Sequence, residues 1–217
     1  MFPDAAGPPS LSVGTRCIAI DGAQSQRDIK MVELVSERAG ASPTPSTASW
    51  SADLTTRDGY MFHVRPASPA DEAALGAFFE HVDKEDLRFR FLSAIHNVGD
   101  DQLRALVTVD HDHTENFLAF DPATDRIVAT AMLAADESLV RAEVALAIRT
   151  DFKRRGISWT LLDHVAAFAR AKGIATLESI ESRDNHQAID LERERGWIAS
   201  ACPGDPASMM LRMTLSA

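Results

Sequence analysis

The residues best suited to chemistry lie together in Glu143-Val144-Ala145-Leu146-Ala147-Ile148 and the following Asp151-Phe152-Lys153-Arg154-Arg155-Gly156-Ile157-Ser158. A strand here delivers the chain into a short basic turn containing one glycine, and a long helix begins at Ile157 and Ser158. The first amides of a helix have no acceptor inside it, and the aligned peptide dipoles add partial positive charge at that end. Such a turn suits a pyrophosphate. Lys153, Arg154 and Arg155 would add charge-assisted contacts, and Gly156 lets the backbone approach closely. Taken alone the pattern is weak, because a glycine between strand and helix is common and basic residues are ordinarily just solvated.

The strand divides its side chains unusually. Val144, Leu146 and Ile148 point one way, while Glu143, Ala145 and Ala147 point the other. The second face carries two small residues and one carboxylate, which leaves room for a ligand along the strand with Glu143 at its far end. A lone strand carboxylate is more often an exposed edge residue.

Other candidates are weaker. His111-Asp112-His113 puts two imidazoles on one side of an extended segment, yet no third ligand is in view, so a loop or substrate-side role is favoured over a metal site. His164 follows the helical spacing of the basic turn's helix and reads as structural. Asn185 stands where a helix starts and is an N-cap candidate, with His186 beside it. Arg88-Phe89-Arg90-Phe91 reads either as the lining of a cleft or, for the two phenylalanines, as core.

These groups need elements to hold them. Phe62–Arg65 reads as a strand closed by Pro66, and Ser68-Pro69 opens a helix whose buried face is Leu75, Phe78, Phe79 and Val82. A second helix runs from about Gly99 with Leu103, Leu106 and Val107 on one side. Asn116–Phe120 and Arg126–Leu133 are strands joined by the turn Asp121-Pro122-Ala123-Thr124, and Leu139–Ile148 is a third. Ile157, Leu161, Val165 and Phe168 then recur at helical spacing until Gly173. A strand at Ala175–Ile180, a helix from about Asn185 to Arg195 and strands at Trp197–Ala201 and Ser208–Leu215 complete the order. The expectation is an α/β (α+β) fold with one mixed sheet of about seven strands.

Composition bounds the rest. The 217 residues are 45% hydrophobic and 25% charged, enough for one ordinary soluble core. Residues 1–57 are rich in proline and serine, including Pro8-Pro9 and Ser42-Pro43-Thr44-Pro45-Ser46. They are expected to form a flexible tail before a folded domain at 58–217. A short helix around Met31–Arg38 is allowed there, and Met31 is an alternative start. No apolar run reaches the roughly 18 residues of a membrane span, and a signal-peptide pattern is missing, so the expected compartment is the cytoplasm. Cys17 and Cys202 cannot make a disulfide framework or a closed zinc site. A net charge of −10 argues against a nucleic-acid partner and suits an amine-bearing one.

With its context, the basic turn gains specificity. Lys153-Arg154-Arg155-Gly156-Ile157-Ser158 resembles the Q/R-x-x-G-x-G/A acetyl-CoA signature of the GNAT superfamily. Asn185-His186-Gln187-Ala188 with Gly196-Trp197 resembles that superfamily's second landmark. Phe91, Asp110-His111-Asp112 and Asn116–Phe120 are similar to the bacterial protein lysine acetyltransferase (Pat-like) branch. The resemblance spans about residues 60–215. It departs at Lys153 and Ser158, which replace Gln or Arg and Gly or Ala.

What the resemblance implies is a GNAT fold, with a mostly antiparallel sheet and helices on both faces, that transfers an acetyl group from acetyl-CoA to a primary amine, a protein lysine or a small amine. The cofactor contacts implied are Val144, Ala145, Leu146, Ile148, Lys153, Arg154, Arg155, Gly156, Ile157, Ser158 and Asn185, with no metal. Many relatives place a tyrosine acid just after the second landmark. Here that position is Glu192, and the single tyrosine is Tyr60. The Pat-like branch instead uses a strand glutamate, which the resemblance puts at Glu143. The rival expectation is a non-catalytic acyl-CoA-binding sensor or partner module, and a homodimer is left open.

Overall fold

The computed structural model describes residues 50–91 and 97–215. The strands are β1 (Ala52–Thr55), β2 (Met61–Pro66), β3 (Thr114–Asp121), β4 (Arg126–Ala135), β5 (Arg141–Ile148), β6 (Thr176–Ser182), β7 (Ile198–Ala201) and β8 (Ser208–Thr214). The helices are α1 (Glu72–Phe79), α2 (Lys84–Phe91), α3 (Asp100–Val107), α4 (Ile157–Ala171) and α5 (His186–Glu194). One sheet forms in the order β1-β2-β3-β4-β5-β6-β8-β7, antiparallel except where β5 meets β6. A mostly antiparallel sheet flanked by helices was the expectation, and the sheet has eight strands where about seven were expected.

The added strand is β1, and it moves the start of the folded part. Its four residues alternate between half-buried and exposed, and they pair with β2 from Ala52↔Val64 to Thr55↔Met61. The boundary expected at residue 57 therefore falls inside a hairpin turn. Thr56 is buried and exchanges backbone hydrogen bonds around the turn with Gly59 and Tyr60, and Gly59 takes the left-handed φ of +82° that the turn requires. The proline-rich stretches and the helix allowed around Met31–Arg38 lie outside the described residues.

Strand β3 shows why the sheet can carry helices on both faces. Its side chains alternate, and from Phe117 to Phe120 both sets are apolar. Phe117 and Ala119 join Phe62, Val64, Val144 and the α4 residues Ile157, Leu161, Val165 and Phe168 in one core cluster. Leu118 and Phe120 join Leu75, Phe78, Leu106 and Val107 from α1 and α3 in another. The helical spacings read from the sequence become the buried stripes of α1, α3 and α4. Each fully buried aliphatic or aromatic side chain contributes about 1.5–3 kcal/mol, so the two clusters dominate stability.

The helix not expected is α2. Its sequence Lys84-Glu85-Asp86-Leu87-Arg88-Phe89-Arg90-Phe91 buries Leu87 alone. It lies over β5, on the face bearing Glu143, Ala145 and Ala147. Among the described residues no helix is long and apolar enough to cross a membrane.

Candidate active site

The site arises from a parting of strands. β5 and β6 run parallel through Arg141↔Thr176, Ala142↔Leu177 and Glu143↔Glu178, and there their pairing ends. β5 stays bound to β4 as far as Ile148, and β6 stays bound to β8 as far as Ser182. Between them the inner edge of β5 keeps backbone donors and acceptors that no strand satisfies. A cavity of about 650 Å³ opens in this gap. Its walls include Glu143, Ala145, Leu146, Ala147 and Ile148 from β5 and Ile180 and Glu181 from β6.

The far end of the cavity is the start of α4. Gly156 is the N-cap in the left-handed region, φ +76°, and no side chain caps the helix. A Cβ at Gly156 would come within 3.2 Å of Thr56 Cβ, so the hairpin from β1 packs directly against the turn. The amides of Ile157, Ser158 and Trp159 are thus left for a ligand. Arg154 also sits at positive φ, 63°, a conformation that costs a non-glycine residue about 1–2 kcal/mol. The turn fits a phosphate-bearing group: open amides, no competing cap and the exposed Arg154 beside them.

Most of the residues singled out from the sequence line this one cavity: Glu143, Ala145, Leu146, Ile148, Lys153, Arg154, Gly156, Ile157, Ser158 and Asn185. Two do not. The Val144 side chain points to the opposite face and is buried in the core, leaving only its backbone toward the gap. Arg155 lies over the rings of Phe152 (4.5 Å) and Tyr60 (5.4 Å) and donates to the Asp151 carbonyl. Lys153, though in the wall, is ion-paired to Asp86 of α2.

Asn185 is the N-cap expected and also stands in the cavity wall. Its Oδ1 accepts from the Ala188 amide at 3.4 Å as a cap, and its Nδ2 donates to Glu181 Oε2 at 2.7 Å in the cavity wall. His186 is exposed and outside the cavity. His164 packs edge-on against Phe117 and Trp50, the structural role expected. His111 points Nδ1 to the buried Glu115 carboxylate at 3.0 Å. Tyr60 donates to Asp121 Oδ1 at 2.9 Å, outside the cavity, and burial with that bond pushes its hydroxyl well above the usual tyrosine range.

Sequence reasoning missed much of the wall: Arg57 and Asp58 of the first hairpin, Trp159, Leu191 and above all Glu181. The Trp159 ring packs against the guanidinium groups of Arg57 (5.1 Å) and Arg195 (4.2 Å). The signal for Glu181 was faint, a charged residue at the end of an otherwise half-apolar strand. Glu192, noted only as the residue at the tyrosine position, is buried in the wall and bonded to the Ser179 hydroxyl.

The electrostatics of the wall are unusual for an acidic cluster. Burial pushes Glu181 up to about 8, helped by Glu192 and opposed by the Asn185 hydrogen bond. Burial also raises Glu192 to about 7, against its bond from Ser179. Glu143 is raised by burial too, opposed by Arg90 and reinforced by Glu178. A buried carboxylate poised above its ordinary range can exchange protons near neutrality, which is the property a general base or acid requires.

Known proteins share this fold. Residues 79–197 match the Acetyltransferase (GNAT) family. An acetyltransferase of Pseudomonas aeruginosa is 25% identical over 160 residues, covering 73% of this chain and 86% of that protein. The GNAT domain of S. lividans PAT superposes with a TM-score of 0.72 at 24% identity, over 77% of this chain and 98% of that domain. Spermidine N-acetyltransferase from Vibrio cholerae, solved with CoA and spermine, superposes with a TM-score of 0.58 at 13% identity, over 71% and 95%. The two superpositions speak for the fold, and the family match covers more than half of the chain. The protein is therefore a member of the GNAT acetyltransferase family, an N-acetyltransferase of the kind that uses acetyl-CoA and an amine acceptor.

Proposed function

We propose that this chain binds acetyl-CoA along the inner edge of β5, with its pyrophosphate at the start of α4, and acetylates a primary amine of a protein lysine or small molecule with Glu143 as general base. The observation that carries this reading is that Glu143, the unpaired stretch of β5 and the open N-terminus of α4 all face one cavity.

A lysine-like amine has an ordinary pKa of about 10.4, so it reaches the site as an ammonium and must lose a proton to attack. Glu143, directly or through one water, takes that proton. The amine nitrogen adds to the thioester carbonyl carbon, and the oxyanion is met by backbone N–H groups near Val144–Ala145. The C–S bond then breaks as the nitrogen releases its second proton to solvent and the amide forms. The CoA thiolate leaves with a proton from solvent, and Glu143 returns its own proton to solvent before the next cycle. Neither a metal nor a covalent enzyme intermediate enters this scheme.

The test pairs calorimetric binding of acetyl-CoA with thiol release on lysine peptides, polyamines and aminoglycosides, run for the wild type and Glu143→Gln. Binding by both proteins with turnover only in the wild type is the expected result. Binding without turnover on any acceptor would favour an acyl-CoA-binding sensor. No binding by either protein would overturn the proposal.

A further inference from the structure

Arg90 is the one cation that α2 brings to the cavity wall, and its hydrogen bonding is incomplete. Its Nε and Nη2 are buried and have no hydrogen-bond partner, although the guanidinium interacts through space with both Glu143 and Glu181. The side chain rests against the Phe91 ring, 5.2 Å from its centroid. Leaving a buried donor unpaired costs about 1–3 kcal/mol, more for a charged group. Burial pulls the guanidinium down to about 10, so it remains a cation at neutral pH.

The other charges around Glu143 are already engaged. On β5, Arg141 reaches back to Asp136. On β6, Glu178 is paired with Arg212 of β8, and Glu181 with Asn185. On α5, Glu192 is bonded to Ser179. On α2, Asp86 is taken by Lys153. Ala134, beside Glu143 on β4, carries no charge. Arg90 is thus the uncommitted charge among these neighbours.

We propose that Arg90 is a positioning residue for the acetyl transfer: its uncommitted guanidinium is the countercharge that holds Glu143 as the carboxylate able to take the amine's proton. The inference rests on the reading of Glu143 as the base. A desolvated cation with no hydrogen-bonded partner is poorly screened, so its field on Glu143 is stronger than that of a solvated arginine. It also opposes the repulsion that Glu178 would otherwise impose.

The experiment is the pH dependence of kcat/KM for acetyl transfer by the full chain, comparing wild type, Arg90→Met and Arg90→Lys. Removing the cation raises the Glu143 pKa, so the base is lost up to a higher pH. The acid limb should rise by about one pH unit in Arg90→Met and hold its place in Arg90→Lys. A merely structural role would lower the whole profile without moving the limb, and that result would overturn the proposal. A limb that moves equally in both variants would assign the effect to shape rather than charge and overturn it as well. If Arg90→Met does not fold, Arg90→Gln keeps a planar polar end without the charge and gives the same comparison. The underlying reading fails separately, if Glu143→Gln retains turnover.

Discussion

Glu143 and Glu178 face each other as the last pair between β5 and β6, and beyond them the two strands separate. The cavity thus begins beside two carboxylates on neighbouring strands, and Glu178 adds to the upward shift of Glu143. The structure relieves it by drawing Glu178 away: Arg212 of β8 donates Nε to Glu178 Oε1 at 2.7 Å.

That relationship gives a first prediction. Glu178 adds to the upward shift of Glu143. Removing it in Glu178→Gln should move the acid limb of the kcat/KM profile to lower pH, by less than about one unit because Arg212 already neutralises it in part. Arg212→Met should move the limb the other way. Paired pH–rate profiles decide, and opposite signs to these would contradict the placement of Glu143 as the titrating base.

Gly156 is the second position to test. An alanine there must hold φ +76° and bring its Cβ to 3.2 Å from Thr56 Cβ, neither of which the hairpin relieves easily. Gly156→Ala should cost about 1–2 kcal/mol of stability in urea unfolding. It should also weaken acetyl-CoA binding by about tenfold, since a shift of the turn misaligns the first amides of α4. Calorimetry on the folded variant separates the two effects.

Local pattern carried much of this architecture. The stripe Ile157, Leu161, Val165, Phe168 and the strand positions of β3 to β5 are properties of consecutive residues, and the structure buries the stripe as the spacing predicts. So is the glycine turn ahead of α4. What escaped depends on distant partners. Ala52–Thr55 is four residues of weak alternation and becomes a strand only because β2 offers an edge. The α2 sequence buries a single leucine and alternates Arg and Phe like a strand, yet it folds as a helix over β5. Glu181 belongs to the site because β6 diverges from β5, a relation no window of sequence contains.

The buried Asn116 supplies a prediction for stability. Its Nδ2 donates to the Leu106 carbonyl at the end of α3 (2.8 Å), and its Oδ1 accepts from the Thr130 hydroxyl of β4 (2.6 Å). Asn116→Ala leaves a carbonyl and a hydroxyl unpaired in the interior and opens a small void. A loss of about 2–4 kcal/mol in urea unfolding is expected. Thr130→Ala, which orphans only one oxygen, should cost less. Equal and negligible losses would show that water satisfies these groups.

The raised carboxyls of the cavity predict how stability varies with pH. Glu181 at about 8 and Glu192 at about 7 hold their protons in the folded protein long after the unfolded chain, with an ordinary Glu pKa of about 4.3, has released them. Between those values the folded state binds more protons than the unfolded one, so the stability contributed by these groups falls as pH rises. The fall should begin above about pH 4 and flatten above about pH 8, where both states are ionised. Glu192→Gln and Glu181→Gln mimic the protonated forms and should each reduce the slope, with the larger effect in the double variant. Urea unfolding at several pH values reads this directly. A wild type whose stability climbs from pH 5 to 8, or variants that keep its full slope, would mean that these two carboxyls are ionised in the folded protein.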